Sequence, residues 1–445
     1  MIRGGNWDNG ANAGVFAFNA NNGPSNVNDN IGFRCGRGVY GQMARLHGGA
    51  PRATLPTAGL LLSSGAEPGE KNEVPRGGLV VRPMRTNGRT GQFYVMNTCK
   101  QLYERVCSFE NMYEAFRKAA KGKSLRLDCA GFAYNREQEI FKLQSELLDG
   151  TYRHGPYREF EVNDPKRRQV KAARFRDRVV HHALCNVIEP IFEARFISDS
   201  FACRKGKGTF AALARCGALA RRFCGGYVLK ADISKFFYSV DHGIMLNTLS
   251  RRIADKRALA LIAEILASSE DARFRAYFPG DGLFALQRPA GIPIGNLTSQ
   301  LFSNIYLTEL DYFVKQELRW KPYLRYMDDF LLFGPDKKEL WIILSRIEAF
   351  LAEKLRLRVH PKKRTVSPVS RGIDWVGYLV FPERIKVRRR NIFRFRIRNR
   401  RLRALFKRGR IRPPDIRQSI MSFCAYTAHA SAARLVSGLL WLEKF

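Results

Sequence analysis

The segment Tyr323-Leu-Arg-Tyr-Met-Asp-Asp-Phe-Leu-Leu-Phe333 places two adjacent carboxylates between two short apolar runs. Runs of this length and composition predict β-strands, and the acidic pair between them predicts the turn of a hairpin. Upstream, Tyr227-Val-Leu-Lys-Ala-Asp-Ile233 predicts a buried strand that carries Asp232 near its end. The sequence therefore predicts three carboxylates at points where apolar strands stop.

Acids flanked by apolar strands are costly in free energy unless cations neutralise them, and oxygen ligands suit Mg²⁺. Nucleotidyl transfer uses two metal ions roughly 3.5–4 Å apart, which converging carboxylates must hold. We therefore expect Asp232, Asp328 and Asp329 to bind metal. For the adjacent pair taken alone, the alternative is that the two acids merely form a hairpin turn.

The charge of the chain indicates its partner. Its 445 residues include 76 Lys and Arg against 40 Asp and Glu, a formal net charge of +36. A polyanion relieves self-repulsion of this size, so nucleic acid is the leading expectation. An anionic lipid surface is the alternative, but no amphipathic anchor stands out and no apolar run approaches the roughly 20 residues of a membrane span. We expect no membrane partner.

The beginning of the sequence and the cysteines agree with a cytoplasmic location. No charged N-terminal region is followed by an apolar run, so secretion is not expected. The nine cysteines form no CxxC pair and have no companion histidines at zinc spacing, which favours reduced thiols.

Composition divides the chain into an extension and a folded part. Residues 1–80 are Gly/Asn-rich, with little periodicity, and are expected to be poorly ordered. Apolar residues at helical spacing begin after Val95, and a further amphipathic helix is predicted from about Thr298 to Leu318. The tract Lys386–Arg412 holds fourteen basic residues and no acid, but interleaved apolar residues predict partial folding. Residues 422–440 predict a final helix.

Several motifs resemble those of reverse transcriptases. Tyr326-Met-Asp-Asp329 resembles their YxDD motif, and Asp232 with Phe237 resembles their upstream Dxxxx[FY] motif. Arg174-Phe-Arg-Asp-Arg-Val179 and Ser200-Phe-Ala-Cys-Arg-Lys-Gly-Lys-Gly208 resemble the fingers motifs of intron-type and retron-type enzymes. The resemblance covers about residues 95–435.

The resemblance implies an α+β right-hand polymerase fold. The N-terminal helices and fingers would occupy residues 81–225, a palm with an RRM-like antiparallel sheet residues 226–385, and a basic helical thumb residues 386–445. It also implies RNA-directed DNA polymerase activity. The three aspartates and the Ile233 carbonyl would hold two Mg²⁺ ions, with Mn²⁺ as a substitute.

Further site residues follow from the same resemblance. Phe237 would be the steric gate that excludes a 2′-hydroxyl, with a plain core residue as the alternative. Arg204 and Lys207 would meet the triphosphate of the incoming nucleotide, with solvated surface as the alternative. Lys362 or Lys363 would be the general acid that protonates the leaving pyrophosphate, and we assign Lys363. The segment 375–379 resembles the hairpin that grips the primer terminus, and a strand of the palm core is a compatible interpretation.

The segment Gly291-Ile-Pro-Ile-Gly-Asn-Leu-Thr-Ser-Gln300 bears on the subtype. Most relatives carry PQGxxxSP, whereas this chain has Ile294 where Gln is usual and Gln300 where Pro is usual. With Gly295, these residues would contact the nascent base pair, and the form IGxxxSQ resembles the enzymes of diversity-generating retroelements. Because apolar packing discriminates less than hydrogen bonding, we expect low fidelity, with template adenines mutated.

The Asn-rich beginning of the chain resembles a translated template repeat of such an element. The alternatives are a flexible extension or a start codon assigned too far upstream. The expected partners are template RNA, the cDNA primer and product, dNTPs and a small basic helical accessory protein, in a prokaryotic or phage setting. Competing interpretations are a retron or group II intron-like reverse transcriptase, a defence-associated enzyme, and a catalytically idle RNA-binding scaffold.

Overall fold

The computed structural model describes residues 99–163, 167–269, 276–278 and 280–441. The Gly/Asn-rich extension over residues 1–80 lies outside these ranges. Helices and strands are mixed along the described part, which confirms the predicted α+β class.

Within these ranges the helices and strands were numbered in chain order. The helices are α1 (Leu102–Cys107), α2 (Phe109–Ala120), α3 (Leu127–Tyr134), α4 (Arg136–Leu148), α5 (Phe175–Glu193), α6 (Thr209–Arg222), α7 (Phe236–Ser239), α8 (His242–Ser250), α9 (Lys256–Ala267), α10 (Leu297–Tyr312), α11 (Lys337–Leu355), α12 (Arg389–Lys407), α13 (Pro413–Thr427) and α14 (Ala433–Trp441). The strands are β1 (Arg158–Asn163), β2 (Arg167–Ala172), β3 (Tyr227–Asp232), β4 (Tyr323–Tyr326), β5 (Asp329–Gly334), β6 (Thr365–Pro368), β7 (Ile373–Trp375), β8 (Tyr378–Val380) and β9 (Ile385–Val387).

A four-stranded sheet, here called the catalytic sheet, has the order β4-β5-β3-β6, and each of its pairings is antiparallel. Both predicted elements are confirmed, since β3 is the predicted buried strand and β4 and β5 form the predicted hairpin. The register pairs Asp232 with Asp329. The fold therefore brings together acids that are almost one hundred positions apart in the sequence.

The catalytic sheet lies between two apolar cores, and its strands alternate between them. Leu229 and Phe330 join the core formed with α2, α5, α9, α10 and α11. Val228 and Leu331 join the core formed with α6 and with the sheet of strands β7, β8 and β9. Successive side chains of a strand point to opposite faces. Burial of both faces explains why these strands read as continuous apolar runs rather than as alternating ones.

Helix α10 differs from its prediction in extent and in burial. It ends at Tyr312 and continues as a π-helical segment over Phe313–Glu317, instead of remaining α-helical to Leu318. Its polar side is buried as well as its apolar side, and Ser303, Asn304 and Thr308 make side-chain hydrogen bonds there. Ser303 Oγ donates to a carbonyl of the preceding turn, and Asn304 Nδ2 donates to the Ala202 carbonyl at 2.8 Å.

A buried ion pair joins α10 to the β4–β5 hairpin. Arg325 and Asp311 are both fully buried, with Nη2 and Oδ2 2.6 Å apart and Nε and Oδ1 2.8 Å apart. The Tyr323 hydroxyl donates to Asp311 Oδ1 at 2.7 Å, and Arg325 Nη1 donates to the Met327 carbonyl at 3.1 Å. The network therefore anchors the turn that carries Asp328.

The segment 375–379 forms a hairpin, but in a separate sheet. Strands β7, β8 and β9 make a three-stranded antiparallel sheet, and Trp375 and Tyr378 are buried in the core that also contains Val228 and Leu331 of the catalytic sheet. Val376 and Gly377 form the turn, both with positive φ. Asn391 of α12 and Tyr426 of α13 donate side-chain hydrogen bonds to the Gly377 carbonyl.

The C-terminal region is helical, as predicted, but its last part is divided. The basic tract contains α12, which confirms its partial folding. Residues 422–440 do not form one helix, because α13 begins earlier, at Pro413, and ends at Thr427. There the chain turns, and the Ser431 amide donates to the Ile385 carbonyl at 2.7 Å before α14 begins. In the part of the chain that the structure describes, no helix has both the length and the hydropathy needed to cross a bilayer.

Replacing Arg325 by Met should lower the free energy of unfolding by about 3–5 kcal/mol, because it leaves the Asp311 carboxylate buried without its cation. The double variant Arg325→Met/Asp311→Leu should recover much of this loss. Urea unfolding of the full chain measures both, with Arg346→Met on the exposed side of α11 as the matched control. An Arg325→Met midpoint equal to that of the control would contradict the role given to the ion pair.

Candidate active site

Three aspartates converge at one end of the catalytic sheet. Asp232 ends β3 and pairs with Asp329, the first residue of β5, so their Cα atoms lie about 5 Å apart. The Ile233 amide donates to the Asp328 carbonyl at 3.1 Å. The side chain of Asp232 is buried, and those of Asp328 and Asp329 are partly exposed. The backbone alone therefore places the predicted residues together.

The turn between β4 and β5 holds Met327 in the left-handed region, with φ of 56°. A non-glycine residue there costs roughly 1–2 kcal/mol. The Met327 side chain is buried, and its carbonyl accepts the Arg325 hydrogen bond described above. Packing and the buried guanidinium therefore offset the strain of the turn that carries Asp328.

The carboxylates carry more negative charge than their surroundings neutralise. Burial, and then the Asp232 carboxylate, raise the pKa of Asp328 to about 7, although Lys363 and Arg168 act in the opposite direction. Burial and the Asp328 carboxylate likewise raise the pKa of Asp329 well above its usual range. Divalent cations at this point would relieve the repulsion that both shifts reflect.

The structure distinguishes the two lysines that the sequence left open. Lys363 Nζ makes an ion pair with Asp232 Oδ2, whereas the Lys362 side chain is exposed. The chain before Lys363 is fixed to the same strand, because the His360 amide donates to the Asp232 carbonyl at 2.7 Å. Of the two lysines, Lys363 is therefore the one whose ammonium lies at the aspartates, and its role as the general acid stays a prediction.

The acids fit a hard divalent cation by their chemistry, although their side chains now have other partners. Among the residues that the structure describes, no three His, Cys, Asp or Glu side chains are arranged to hold a metal ion. Asp232 is bonded to Lys363 and also makes a side-chain hydrogen bond with Asp329. Metal binding therefore requires these side chains to exchange their present partners for the ion. The predicted use of the Ile233 carbonyl stays a prediction.

Phe237 lies in α7, five residues after Asp232, and is partly buried. Its ring lies 5.6 Å from the Phe236 ring in an edge-to-face arrangement, and its carbonyl accepts a hydrogen bond from the Ile292 amide at 2.7 Å. The predicted gate is thus tied to the segment that carries Ile294. Its role as a gate stays a prediction.

The segment 291–300 passes beneath the β1–β2 hairpin. Gly295 has φ of 110°, and a Cβ atom there would lie 3.0 Å from Val170 Cγ1 of β2, so a larger residue would press on the hairpin. Ile294 is partly buried, and Gln300 lies in the first turn of α10. The roles predicted for these residues at the nascent base pair stay predictions.

Arg204 does not face a nucleotide in this arrangement. Its side chain is 6% exposed and pairs with Glu193 at 2.8 Å, while Nη1 donates to the carbonyls of Ile197 and Ser200. These bonds tie the Arg204 side chain to the end of α5 and to residues 197–200, which follow that helix. The prediction that Arg204 meets the triphosphate is therefore not supported. Lys207 is partly exposed, and its ammonium donates to the Ser198 carbonyl at 3.0 Å.

Sequence reasoning missed Arg168 on β2. Its positive charge opposes the rise in the pKa of Asp328 that burial and the Asp232 carboxylate cause. The available signal was period-two alternation, because Arg168 and the buried Val170 share one face of β2. Arg168 is therefore a cation that the fold brings to the acidic site from a distant part of the sequence.

Comparison with protein families gives one match over this region. Residues 163–380 match the family described as reverse transcriptase (RNA-dependent DNA polymerase). The matched range contains β2, the catalytic sheet, α10 and each of the predicted site residues. It supports the right-hand polymerase fold that the motifs implied.

Three curated proteins show similarity over parts of the chain. Protein YkfC of Escherichia coli is 27% identical over 284 residues, which cover 55% of this chain and 72% of that protein. The group II intron-encoded protein LtrA of Lactococcus lactis is 29% identical over 47% of this chain and 33% of its own length. Nuclear intron maturase 2 of Arabidopsis thaliana is 28% identical over 29% and 20% of the two chains. The chain thus spans a third or less of the two intron proteins.

Two solved structures are similar more weakly. The telomerase from Candida albicans has a TM-score of 0.35 at 13% identity, covering 54% of this chain and 46% of that one. A partial Cas6-RT-Cas1–Cas2 complex has a TM-score of 0.34 at 18% identity, covering 57% and 43%. At these TM-scores neither structure bears on the function.

Replacing Lys363 by Ala should lower the rate of single-nucleotide addition about a hundredfold, because the leaving group loses its proton donor. Lys362→Ala removes the same charge one position away and should leave the rate nearly unchanged. Single-turnover extension of a labelled primer with Mg²⁺ measures both. Equal losses in the two variants would show that only the local charge matters.

Proposed function

We propose that the whole chain is an RNA-directed DNA polymerase, because residues 163–380 match the reverse transcriptase family. The observation that carries the proposal is the pairing of Asp232 with Asp329 beside Asp328, with the pKa values of the last two raised. A surplus of carboxylate charge at the end of a buried sheet suits two Mg²⁺ ions. A scaffold that only bound RNA would not need this cluster of carboxylates.

Each residue of the site then has a chemical task. Asp232, Asp328 and Asp329 would hold the ions, whose chemistry when bound is to activate the 3′-hydroxyl and stabilise the departing pyrophosphate. Lys363, paired with Asp232, would donate a proton to that leaving group. Arg168 on β2 would neutralise the triphosphate, and so would Lys207 if its ammonium leaves the Ser198 carbonyl.

The C-terminal helices supply a cationic surface for the primer–template duplex. On α12, Arg389, Arg396 and Arg400 are exposed and alternate with the exposed Phe393 and Ile397. Basic residues at helical spacing bind phosphates, and the apolar residues between them can contact sugars. The hydrogen bonds of α12 and α13 to the β7–β8 turn would couple this surface to the primer terminus.

The finer proposal is that the enzyme makes adenine-mutagenised cDNA from a template-repeat RNA in a diversity-generating retroelement. Its support is the aliphatic Ile294 next to Gly295, beneath the β1–β2 hairpin, together with Gln300. An aliphatic side chain offers no hydrogen bond with which to test the nascent pair. A small basic helical accessory protein would assist in binding the template RNA.

A group II intron-like reverse transcriptase is the second candidate. Similarity to the intron-encoded protein LtrA and to nuclear intron maturase 2 favours it. Such an enzyme would copy RNA without a bias at template adenines. The distribution of errors along the product therefore separates the two candidates.

Deep sequencing of cDNA made from a defined primed RNA should show errors concentrated at template adenines. Replacing Ile294 by Gln should reduce these errors by about tenfold, because the side chain regains hydrogen-bonding capacity beside the pair. Ile342→Gln makes the same change at a residue that is 62% exposed on α11, and should leave the error spectrum as it was. Accurate cDNA from the unaltered chain would favour the intron-like candidate.

A further inference from the structure

A cavity of about 280 Å³ lies beside the chain that follows the catalytic strand β3. The segment 234–241, described residues from 276 to 290, and the segment just before Lys363 border it. Its principal lining residues are Lys235, Ser239, Phe278, Arg288, Arg356 and Arg358. None of these residues has a task in the mechanism proposed above.

The lining is strongly cationic. Four of its residues are basic and one, Asp241, is acidic, which leaves a formal charge of +3. The buried Asp281, bonded to Arg288 and Arg356, lowers the charge of the cluster to +2. An excess of positive charge around a concave space attracts an anion of matching charge.

Two carboxylates hold the guanidinium groups in place. Asp241 Oδ2 lies 3.5 Å from Arg288 Nε and 3.6 Å from Arg356 Nη1, and Asp281 Oδ1 lies 3.1 Å from Arg356 Nε. Each guanidinium has five N–H donors, and the contacts of Arg356 with these carboxylates engage only its Nε and Nη1 atoms. The cations of the cavity are therefore preorganised rather than loosely placed on a surface.

Arg358 completes the cationic side of the cavity. Its guanidinium carbon lies 4.9 Å from the centre of the Phe278 ring, and Nη2 donates to the Tyr277 carbonyl. Stacking on an aromatic face fixes the plane of a guanidinium and leaves N–H groups at its edge. Because Arg358 is exposed, its replacement should leave the core intact.

Backbone hydrogen bonds connect the cavity to the aspartates. The Ser234 amide donates to the Arg358 carbonyl at 2.8 Å, two residues after Asp232. On the other side, Lys363 follows Arg358 by five positions and pairs with Asp232. The cavity therefore adjoins the side of the site where the leaving group would meet its proton donor.

We propose that this cavity binds a linear oligophosphate. The inference rests on the proposed polymerase function, whose reaction consumes nucleoside triphosphates and releases pyrophosphate. Guanidinium groups match phosphate oxygens in bidentate pairs, and the hydroxyl of Ser234 can donate to the same oxygens. The cavity thus provides a phosphate site beside the reaction centre, separate from the aspartates.

The test is isothermal titration calorimetry of the full chain with tripolyphosphate in metal-free buffer. Without metal ions the three aspartates repel the anion, so binding reports on the cationic cavity. Replacing Arg358 by Gln should weaken binding about tenfold, because one charge-assisted contact is lost. Arg346→Gln removes the same charge on the exposed side of α11 and should leave the affinity unchanged.

Pyrophosphate and dATP distinguish the source of the ligand. Pyrophosphate binding as tight as tripolyphosphate identifies the released product, and tighter binding of dATP identifies a nucleotide. The inference is overturned if Arg358→Gln binds tripolyphosphate as well as the unaltered chain does, or if Arg346→Gln loses as much. Primer extension by the same preparations distinguishes this inference from the proposed polymerase function. DNA synthesis without Arg358-dependent binding of tripolyphosphate overturns only the phosphate site. Arg358-dependent binding without DNA synthesis overturns only the polymerase function.

Discussion

The antiparallel register of β3 and β5 is the constraint on which the site depends. It places Asp232 opposite Asp329, and the turn before β5 adds Asp328. A shift of one residue would turn every side chain of a strand to the opposite core. The side chains of the two cores are close-packed, so such a shift would disrupt the packing on both faces of the sheet. The buried Arg325–Asp311 pair then holds the strained turn in position.

Charge connects the site to the rest of the molecule. The acids form a local excess of negative charge within a chain of net charge +36. Two cations act on Asp328: Lys363, which lies just before β6, and Arg168, which lies on β2. Cations on the protein moderate the repulsion between the carboxylates, but burial together with that repulsion still raises the pKa values of Asp328 and Asp329. That remaining charge is what divalent ions and their phosphate ligands would use.

The sequence predicted the elements whose signal is local. Apolar runs ending in acids located β3 and the β4–β5 hairpin, because strands buried on both faces leave a continuous pattern. The direction of a loop side chain leaves no such pattern, so Arg204 was expected at the triphosphate although it bonds inward to Glu193. No local pattern distinguishes Lys363 from Lys362 as the lysine of the site, and Arg168 was missed. The positions of both residues at the site depend on contacts between distant segments. The burial of Ser303 on α10 likewise follows from packing that no helical periodicity reveals.

The most direct test is extension of a DNA primer on an RNA template with Mg²⁺ by the unaltered chain and by Asp329→Asn. The variant keeps the size of the side chain but removes one charge from the paired site. Asp336→Asn is the matched control, because Asp336 caps α11 through a hydrogen bond from the Glu339 amide at 3.0 Å that asparagine can also accept. We expect DNA synthesis by the unaltered chain and by Asp336→Asn, and no synthesis by Asp329→Asn. Undiminished synthesis by Asp329→Asn would contradict it.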